Sequence, residues 1–411
     1  MPRPTRIAII GGGIGGLAAA LAMHRHGLEA TVYEQSPKLS EIGAGVGLSP
    51  NAIKACRVLG VDNEVIARGS GAEWQISRSW RSGRVIARSP LRDTAARFGA
   101  PHVTVHRADL LDILSRSLPE KYIRTSARCV AVTPGTEIAV ARFADGTEVE
   151  ADIIVGADGI HSAVRGSLFG AEAPRFTGCV CYRGLVPAGD VPRSINTRDV
   201  TLWMGPHGHI VHYPVRGGEL LNIVAHFDSE DWTEESWTRR CDQAEVIATY
   251  RRWNESLLQL FQSNAEWYKW ALYDREPLER WSAGRATLLG DSAHAMLPYL
   301  GQGAAMAMED GCVLAACVSG MPDDLDAALR HYEQSRKERT RRAVLGSRER
   351  AKHNHLASPW ARLQRDVRAA LRNRFGEDKT LFQAAWLYSY DVAAETGIVA
   401  GHLGETARRM A

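Results

Sequence analysis

A glycine-rich segment near the N-terminus constrains the fold of this chain more than any other feature. Residues 6–10 form a short apolar run that favours a buried parallel strand, and Gly11-Gly-Gly13-Ile-Gly-Gly16 follows at once. Residues 14–26 have helical character, and residues 29–34 predict the next strand. Together they form one βαβ unit of about 30 residues, the unit that carries dinucleotide-binding fingerprints.

The three spaced glycines match the GxGxxG fingerprint. Gly11 would permit the tight turn, Gly13 would let the backbone approach a pyrophosphate, and Gly16 would let the helix pack against the strand. The helix N-terminus offers unpaired N–H groups and the positive end of its dipole to phosphates. Glu34, at the end of the second strand, is the carboxylate expected to bind the adenosine ribose. The motif predicts a bound dinucleotide and does not separate NAD from FAD.

Length and composition indicate a globular protein of two or three domains. The chain has 411 residues, of which 45% are hydrophobic, and one domain takes about 100–200 residues. A net charge of +3 gives no case for nucleic acid, which needs a clustered basic face. Seven scattered cysteines without zinc-type spacing predict reduced thiols, no metal and a cytoplasmic location. No segment has the roughly 18 consecutive apolar residues that indicate a membrane span.

Hydrophobic periodicity predicts a second region that is mostly β-structure. Short β-like segments are separated by glycine and proline, and Asp145-Gly146 predicts a hairpin between 142 and 151. The β-like segments cover 179–186, 200–204, 210–213 and 220–227. Strands are also predicted at 152–158 and 286–289, and helices at 51–68, 243–262, 301–317 and through the C-terminal third. We therefore expect an α/β fold with a mostly antiparallel sheet inserted into the first domain.

Two further motifs follow buried strands. One begins Gly156-Ala-Asp158-Gly159, and the other runs from Gly290-Asp291 towards residue 303. Ligands of open parallel sheets gather at such strand-to-loop junctions. Each segment taken alone is equally well explained as a turn or a helix cap, because Asp-Gly favours positive φ and Asp caps helices.

In this order and spacing, the three motifs resemble the single-component flavoprotein aromatic hydroxylases, the para-hydroxybenzoate hydroxylase class, over nearly the whole chain. The resemblance implies FAD as cofactor. The residues that it assigns to FAD are Gly11, Gly13, Gly16, Glu34, Arg107, Asp158, Asp291, Gly301 and Gly303. Arg107 would lie near the flavin pyrophosphate, Asp158 between FAD and the pyridine-nucleotide site, and Asp291 at the ribityl and phosphate region. For Arg107, a surface arginine at a helix start is the alternative.

The same resemblance implies a division into domains. A Rossmann-like FAD-binding domain would comprise residues 1–70, 98–175 and 270–350. A mostly antiparallel substrate-binding domain would comprise residues 71–97 and 176–269, followed by a helical C-terminal segment at 351–411.

The implied reaction is hydroxylation of a phenolic aromatic acid. NADH or NADPH would reduce FAD, and O₂ would then give a flavin C4a-hydroperoxide that attacks the electron-rich ring. The site should therefore stabilise a phenolate or remove the phenol proton. The expected partners are the aromatic acid and O₂, with no nucleic acid and no membrane, and the chain is expected to be a monomer or homodimer.

Within this class the chain is most similar to salicylate, 3-hydroxybenzoate and 6-hydroxynicotinate monooxygenases. The segments that carry this similarity run from Gly43 to Asn51, over 182–184, and from His209 to 218. On a strand, His209 and Tyr213 share one face while His212 faces away. By resemblance, Tyr213 orients the substrate and His209 assists removal of the phenol proton. Without the resemblance, a hydrogen-bonded sheet histidine is the simpler interpretation of His209.

Details of these segments favour salicylate-like substrates. The hydroxynicotinate enzymes carry a histidine near Gly47, and the 3-hydroxybenzoate 6-hydroxylases carry glutamine where Pro298 stands. The segment ending at Pro298 follows the salicylate hydroxylase form, although that enzyme has histidine where Tyr299 stands. Besides Tyr213, the expected substrate contacts are Leu48, Pro298 and Tyr299. The donor for a substrate carboxylate stays open, with arginines 78, 81 and 84 as the alternatives to consider.

Two other classes share parts of this pattern. A flavin reductase, dehydrogenase or halogenase could use the same scaffold, but the WxWxIP-type segment expected of a halogenase is absent from the sequence. A non-catalytic nucleotide-binding protein is expected to have damaged phosphate or flavin motifs, whereas all three motifs are intact here.

Overall fold

The computed structural model of the chain describes residues 5–39, 44–229, 239–375 and 379–397. The strands are β1 (Arg6–Ile10), β2 (Glu29–Tyr33), β3 (Gly45–Leu48), β4 (Trp74–Ser79), β5 (Val85–Pro90), β6 (Val103–His106), β7 (Ile123–Arg124), β8 (Cys129–Thr133), β9 (Ala139–Phe143), β10 (Glu148–Ala151), β11 (Ile153–Gly156), β12 (Arg175–Pro187), β13 (Val200–Gly205), β14 (Gly208–Val215), β15 (Leu220–Asp228), β16 (Arg240–Cys241), β17 (Trp267–Asp274), β18 (Ser282–Ala283) and β19 (Ala286–Leu288). The α-helices are α1 (Ile14–Arg25), α2 (Pro50–Val58), α3 (Asp62–Arg68), α4 (Thr94–Phe98), α5 (Arg107–Arg116), α6 (Ala163–Phe169), α7 (Gln243–Tyr250), α8 (Glu255–Gln262), α9 (Asp291–His294), α10 (Gly303–Gly320), α11 (Leu325–Asn354), α12 (Pro359–Phe375), α13 (Lys379–Tyr388) and α14 (Val392–Glu395).

A six-stranded sheet carries the predicted βαβ unit. Its order is β18-β19-β11-β1-β2-β7, and all of its pairs are parallel except β18 with β19. The apolar runs of β1 and β11 are buried because helices cover this sheet. Helices α1 and α10 approach so closely that a Cβ at Gly311 would lie 2.8 Å from the backbone of Ala19. The carboxyl ends of β1, β11 and β19 therefore meet at one edge, each followed by one of the three motifs.

An eight-stranded sheet has the order β16-β17-β12-β15-β14-β13-β4-β5, and it is antiparallel except between β13 and β4. One face packs on α7 and α8 through Tyr182, Ile210 and Phe261. We call the opposite face the site face; it carries Cys181, Arg183, His209, Tyr213 and His226. It packs towards the loop Leu297–Leu300 and the end of α11.

The structure confirms most predicted elements, but two of the predicted helices are each divided into two shorter ones. The hairpin at Gly146 is present, with φ of +86° at that glycine. The helix predicted at 51–68 divides into α2 and α3 because Gly60 adopts φ of +66°. The helix predicted at 243–262 divides at Asn254, whose side chain accepts a hydrogen bond from Ser256 N–H and so starts α8. Strands β4 and β5 had no individual prediction, and β17 carries the large sheet beyond residue 269.

The C-terminal segment is anchored by buried cations. Lys54 Nζ donates to the carbonyls of Tyr388, Ser389 and Tyr390, and Arg339 donates to those of residues 386 and 387. These bonds hold residues 386–390 over α2 and α11. Residues 398–411 of the predicted helical segment lie outside the described residues. Across the described ranges, no helix combines the length and apolar character needed to cross a bilayer.

Candidate active site

The glycine motif forms a turn whose members are constrained differently. Gly11 has φ of +110°, and a Cβ there would collide with the carbonyl of Ala157. A Cβ at Gly16 would collide with the carbonyl of Gly11. Gly13, the N-cap of α1, has no atom within 4 Å of the place its Cβ would take. Gly11 and Gly16 are thus required by protein packing, whereas Gly13 leaves the helix N-terminus open to a phosphate.

Glu34 is fixed at the end of β2. Gly12 N–H donates to its Oε2 at 2.7 Å, and Ser36 N–H donates to its Oε1 at 2.8 Å. The carboxylate therefore lies beside the glycine turn, as a ribose ligand of that turn would require. Its role as ribose ligand stays a prediction.

Asp158 joins the second and third motifs. Its carboxylate accepts hydrogen bonds from Ser162 Oγ at 2.5 Å, Ala163 N–H at 2.7 Å and Val164 N–H at 3.2 Å. Ser292, next to the third motif's aspartate, donates to it at 3.2 Å. Burial raises the pKa of Asp158, and these hydrogen bonds oppose the rise. The carboxylate thus caps α6 and ties two strand ends together, and its proposed place beside a pyridine nucleotide stays a prediction.

Asp291 and Arg107 come together from distant parts of the chain. Arg107 begins α5, directly after β6, and Asp291 begins α9 after β19. The surrounding protein raises the pKa of Asp291, while the charges of His294 and Arg107 lower it. Asp291 nevertheless keeps an exposed surface. The assignments of Asp291 and Arg107 to the flavin's ribityl and phosphate regions stay predictions.

The loop after α9 is held against the segment that follows β3. Asn51 Nδ2 donates to Gln302 Oε1 at 3.0 Å, and Gln302 Nε2 donates to Ser49 Oγ at 3.0 Å. Pro298 is exposed in this loop, and Gly301 adopts φ of +64°. No atom lies within 4 Å of a Cβ built on Gly301 or Gly303. Gly301 and Gly303, like Gly13, therefore leave room for a ligand such as a flavin dinucleotide, and their role as FAD contacts stays a prediction.

Tyr213 lies where β14 of the large sheet meets β3, which forms a two-stranded sheet with β6. A Cβ at Gly45 would lie 2.5 Å from Tyr213 Cε2, and Gly45 N–H donates to Asn222 Oδ1 at 2.8 Å. Leu48 points the other way along the same strand and is fully buried in the core around the six-stranded sheet. The structure therefore does not bring Leu48 to the site face with Tyr213. Gly43, at the start of this segment, lies outside the described residues.

His209 lies in a group of aromatic and imidazole rings. Its ring stacks on His226 at 4.5 Å between centroids and meets Tyr299 edge-on at 5.1 Å. Its Nδ1 lies 2.7 Å from Nε2 of His355. Burial lowers the pKa of His209 well below its ordinary value, and neighbouring positive charge lowers it further. His212 faces away, as predicted, and accepts from Trp203 Nε1 at 3.1 Å.

Sequence reasoning missed His226, His355 and Asp228. The cross-strand partner of His209 is His226, but only the register of β14 and β15 shows this pairing. His355 follows α11, far along the chain from His209, and no local motif marks it. A strand pattern on its own therefore could not find the histidine group.

Arg183 is a half-buried cation of the site face. Its guanidinium carbon lies 3.6 Å from the ring centroid of Trp270. Burial lowers the pKa of Arg183 to about 10, and the positive charge of Arg107 contributes to the lowering. By contrast, Arg78 lies over Trp203 on the opposite face and donates to Gly83 O at 2.8 Å. The other two arginines considered from the sequence, at 81 and 84, are exposed in the turn between β4 and β5.

Comparisons with known proteins agree with this geometry. A family described as FAD binding domain matches residues 4–347. The 3-amino-4-hydroxybenzoate 2-monooxygenase of Streptomyces platensis is 39% identical over 94% of this chain and 96% of that protein. The 6-hydroxynicotinate 3-monooxygenase of Bordetella bronchiseptica is 35% identical over 95% of this chain and 96% of that protein. A substrate complex of salicylate hydroxylase superposes with a TM-score of 0.82 at 26% identity, covering 96% of this chain and 98% of that one.

The chain therefore belongs to this family of FAD-binding proteins. It is an FAD-dependent monooxygenase of the aromatic hydroxylase type, and NAD(P)H as co-substrate is consistent with the family. The resemblance found in the sequence is confirmed, as is FAD as the cofactor.

Proposed function

We propose that the protein hydroxylates a small phenolic aromatic acid on the site face, using FAD, NAD(P)H and O₂. The observation that carries this proposal is the position of His209. It is a buried, uncharged imidazole on the site face, and its ring meets Tyr299 of the loop Leu297–Leu300. A neutral imidazole can accept a phenol proton, which makes the ring more electron-rich for hydroxylation. When bound, FAD supplies the redox chemistry and the activation of oxygen.

Two further groups of the site face support an acid as substrate. Arg183 would meet the acid group, because a guanidinium recognises carboxylates by paired hydrogen bonds. Tyr213 lies near enough to this charge for Arg183 to lower its pKa, although burial raises that pKa more strongly. We assign Tyr213 to orienting the ring, with Pro298 and Tyr299 as further contacts. The large sheet, with β4, β5 and β12 to β17, would then be the substrate-binding domain.

The sequence favours a salicylate-like acid, and the relatives favour a second candidate. The 39%-identical Streptomyces enzyme is named for 3-amino-4-hydroxybenzoate, which is also a phenolic acid. Both compounds present a hydroxyl for His209 and a carboxylate for Arg183.

The test is a substrate panel with purified FAD-loaded protein. NADH and NADPH oxidation would be followed with salicylate, 3-amino-4-hydroxybenzoate, 3-hydroxybenzoate, 4-hydroxybenzoate and 6-hydroxynicotinate, and products would be identified by mass. We expect at least one phenolic acid to stimulate oxidation and to gain one oxygen atom. Stimulated oxidation that yields only hydrogen peroxide with every acid would contradict the proposal.

The role of His209 has its own test. His209→Ala should lower the rate or the product formed per NAD(P)H by about 100-fold or more, because general-base catalysis contributes that much. Flavin content, measured from the visible spectrum, should stay unchanged. Loss of flavin instead would show that His209 supports the cofactor and would overturn the assignment.

A further inference from the structure

We propose that Asp228 and His355 act as a proton relay behind His209, fixing its tautomer and carrying the phenol proton towards solvent. The inference rests on the proposed function, since it names the route by which that same site would lose a proton. In this relay His209 would be the catalytic residue, and His355 and Asp228 would be positioning residues that act through it.

The relay consists of two short hydrogen bonds in series. His209 Nδ1 lies 2.7 Å from His355 Nε2, and His355 Nδ1 lies 2.6 Å from Asp228 Oδ1. The His209 side chain is buried, the His355 side chain is 7% exposed, and the Asp228 side chain is 39% exposed. A continuous hydrogen-bonded path therefore leads from the interior of the site face to water.

The direction of each hydrogen bond follows from the chemistry of the three groups. An ionised carboxylate can only accept, so Nδ1–H of His355 donates to Asp228 and the neutral His355 ring has its lone pair on Nε2. That lone pair requires a donor, so His209 carries its proton on Nδ1. Nε2 of His209 is then the unprotonated nitrogen. The carboxylate thus sets the tautomer of both rings and leaves His209 able to accept a proton from a ligand.

The environment of His209 prevents it from keeping that proton. Burial lowers the pKa of His209 well below its ordinary value, and the positive charges of Arg350 and Arg365 lower it further. His355 is hydrogen-bonded to the carboxylate of Asp228, whereas His226 and Tyr299 offer His209 ring contacts only. A positive charge at His355 would therefore lie next to a carboxylate, whereas one at His209 would lie among rings.

Each proton transfer balances. The phenol O–H bond breaks as an N–H bond forms at His209 Nε2, and the Nδ1 proton of His209 moves to His355 Nε2. The resulting His355 imidazolium is paired with Asp228, and its Nδ1 proton leaves to water through the exposed carboxylate. No electron is transferred in these steps.

Further titratable and charged groups lie around the relay: His226 stacks on His209, and Arg350 and Arg365 lie close enough to lower its pKa. Cys179, on β12, accepts a hydrogen bond from Tyr299. His207, in the turn between β13 and β14, lies 3.6 Å from the second carboxylate oxygen of Asp228. His207 is 64% exposed and contacts the carboxylate without reaching His209. It therefore offers a matched control, and His207→Asn keeps a residue that tolerates its positive φ of 57°.

The first experiment compares FAD-loaded His355→Gln, Asp228→Asn and His207→Asn with the parent. With the phenolic acid that the panel identifies, we expect both relay variants to lose about tenfold or more in kcat, with KM and flavin content nearly unchanged. The His207→Asn variant should match the parent. The loss should shrink with a ring-fluorinated analogue, whose more acidic phenol needs less help from a base. A loss of equal size with both substrates would indicate structural damage and overturn the relay.

The second experiment needs no turnover. Nitrogen NMR of the ¹⁵N-histidine-labelled FAD enzyme should show the neutral, Nδ1-protonated tautomer for His209 and for His355. In Asp228→Asn, part of the population should shift to the Nε2-protonated form, because an amide can donate as well as accept. An Nε2-protonated His209 in the parent would overturn the relay even if the panel succeeds. If every panel acid fails, the proposed function fails while the tautomer result still decides the relay's geometry.

Discussion

Arg183 and Tyr213 lie on the same sheet face with strand β15 between them, where Arg183 pairs with Val224 and Tyr213 pairs with Asn222. Neither residue belongs to a motif that phosphate-binding chemistry would single out. Their importance comes from being a half-buried cation and a buried phenol that the large sheet presents on its site face.

At this scale we predict that Arg183→Gln weakens binding of the substrate acid. Hydrogen bonds to charged groups contribute about 1.5–3 kcal/mol, so KM should rise by about 10- to 100-fold. The parent's preference for a phenolic acid over the same phenol without its carboxylate should largely disappear, as steady-state kinetics would show. The exposed Arg84→Gln serves as control, and an unchanged preference in the Arg183 variant would refute the assignment.

The glycine turn shows how an element separates structural from binding roles. Gly16 is required by contact with the carbonyl of Gly11, whereas Gly13 contacts no atom within 4 Å at its Cβ position. Gly13 has φ of −74°, a value that alanine adopts without strain.

We predict opposite outcomes for alanine at these two positions. Gly13→Ala should leave the thermal unfolding midpoint of the apoprotein nearly unchanged but weaken FAD about tenfold or more, because the methyl group would occupy the path of the pyrophosphate. Gly16→Ala should lower the midpoint of the apoprotein itself. Fluorescence titration with FAD and thermal unfolding without it measure the two effects. Equal loss of stability in both variants would contradict this division.

Over the whole molecule, a buried ion network joins the third motif to the long C-terminal helices. Asp310 on α10 contacts His294 at 2.6 Å and Arg336 of α11 at 2.7 Å, and it accepts from Gly290 N–H at 3.1 Å. Arg336 also pairs with Glu309 at 2.7 Å. Burial opposes ionisation of Asp310, but the charges of His294 and Arg336 prevail and lower its pKa to about 2.

This network predicts a pH-dependent contribution to stability. Because the folded pKa of Asp310 lies below its usual value of 3.8, its stabilisation is fully present above about pH 4 and is lost as the pH falls towards 2. Asp310→Asn should lower the free energy of unfolding by about 3–5 kcal/mol at pH 7, because the buried Arg336 loses one of its two carboxylate partners. The difference in free energy of unfolding between this variant and the parent should narrow as the pH falls from about 4 towards 2. Chemical denaturation from pH 7 downwards measures this.

The control is the exposed Asp112→Asn, whose surface ion pairs with Arg68 and Arg116 should contribute about 0–1 kcal/mol. If the difference in free energy of unfolding between Asp310→Asn and the parent widens on acidification, the assigned role of the network is refuted.

The sequence by itself determined the βαβ unit, the order of the three motifs and the family, because these depend on local chemistry. Gly11 must adopt positive φ, a short helix must start at Gly13, and Glu34 must end the next strand. Periodicity within β14 also placed His209 and Tyr213 on one face and His212 on the other, since alternation along a strand is a local property.

Tertiary structure decided which distant residues meet. The sequence predicted Leu48 as a substrate contact. The register of β3 with β6 instead directs its side chain into the core. Arg183 lies in a segment that the resemblance marked without giving it a role, and His355 carries no local signal. Both reach the site because β12 lies inside the large sheet and α11 ends against it. Contacts between residues far apart in sequence depend on register and packing, and a single sequence leaves both undetermined.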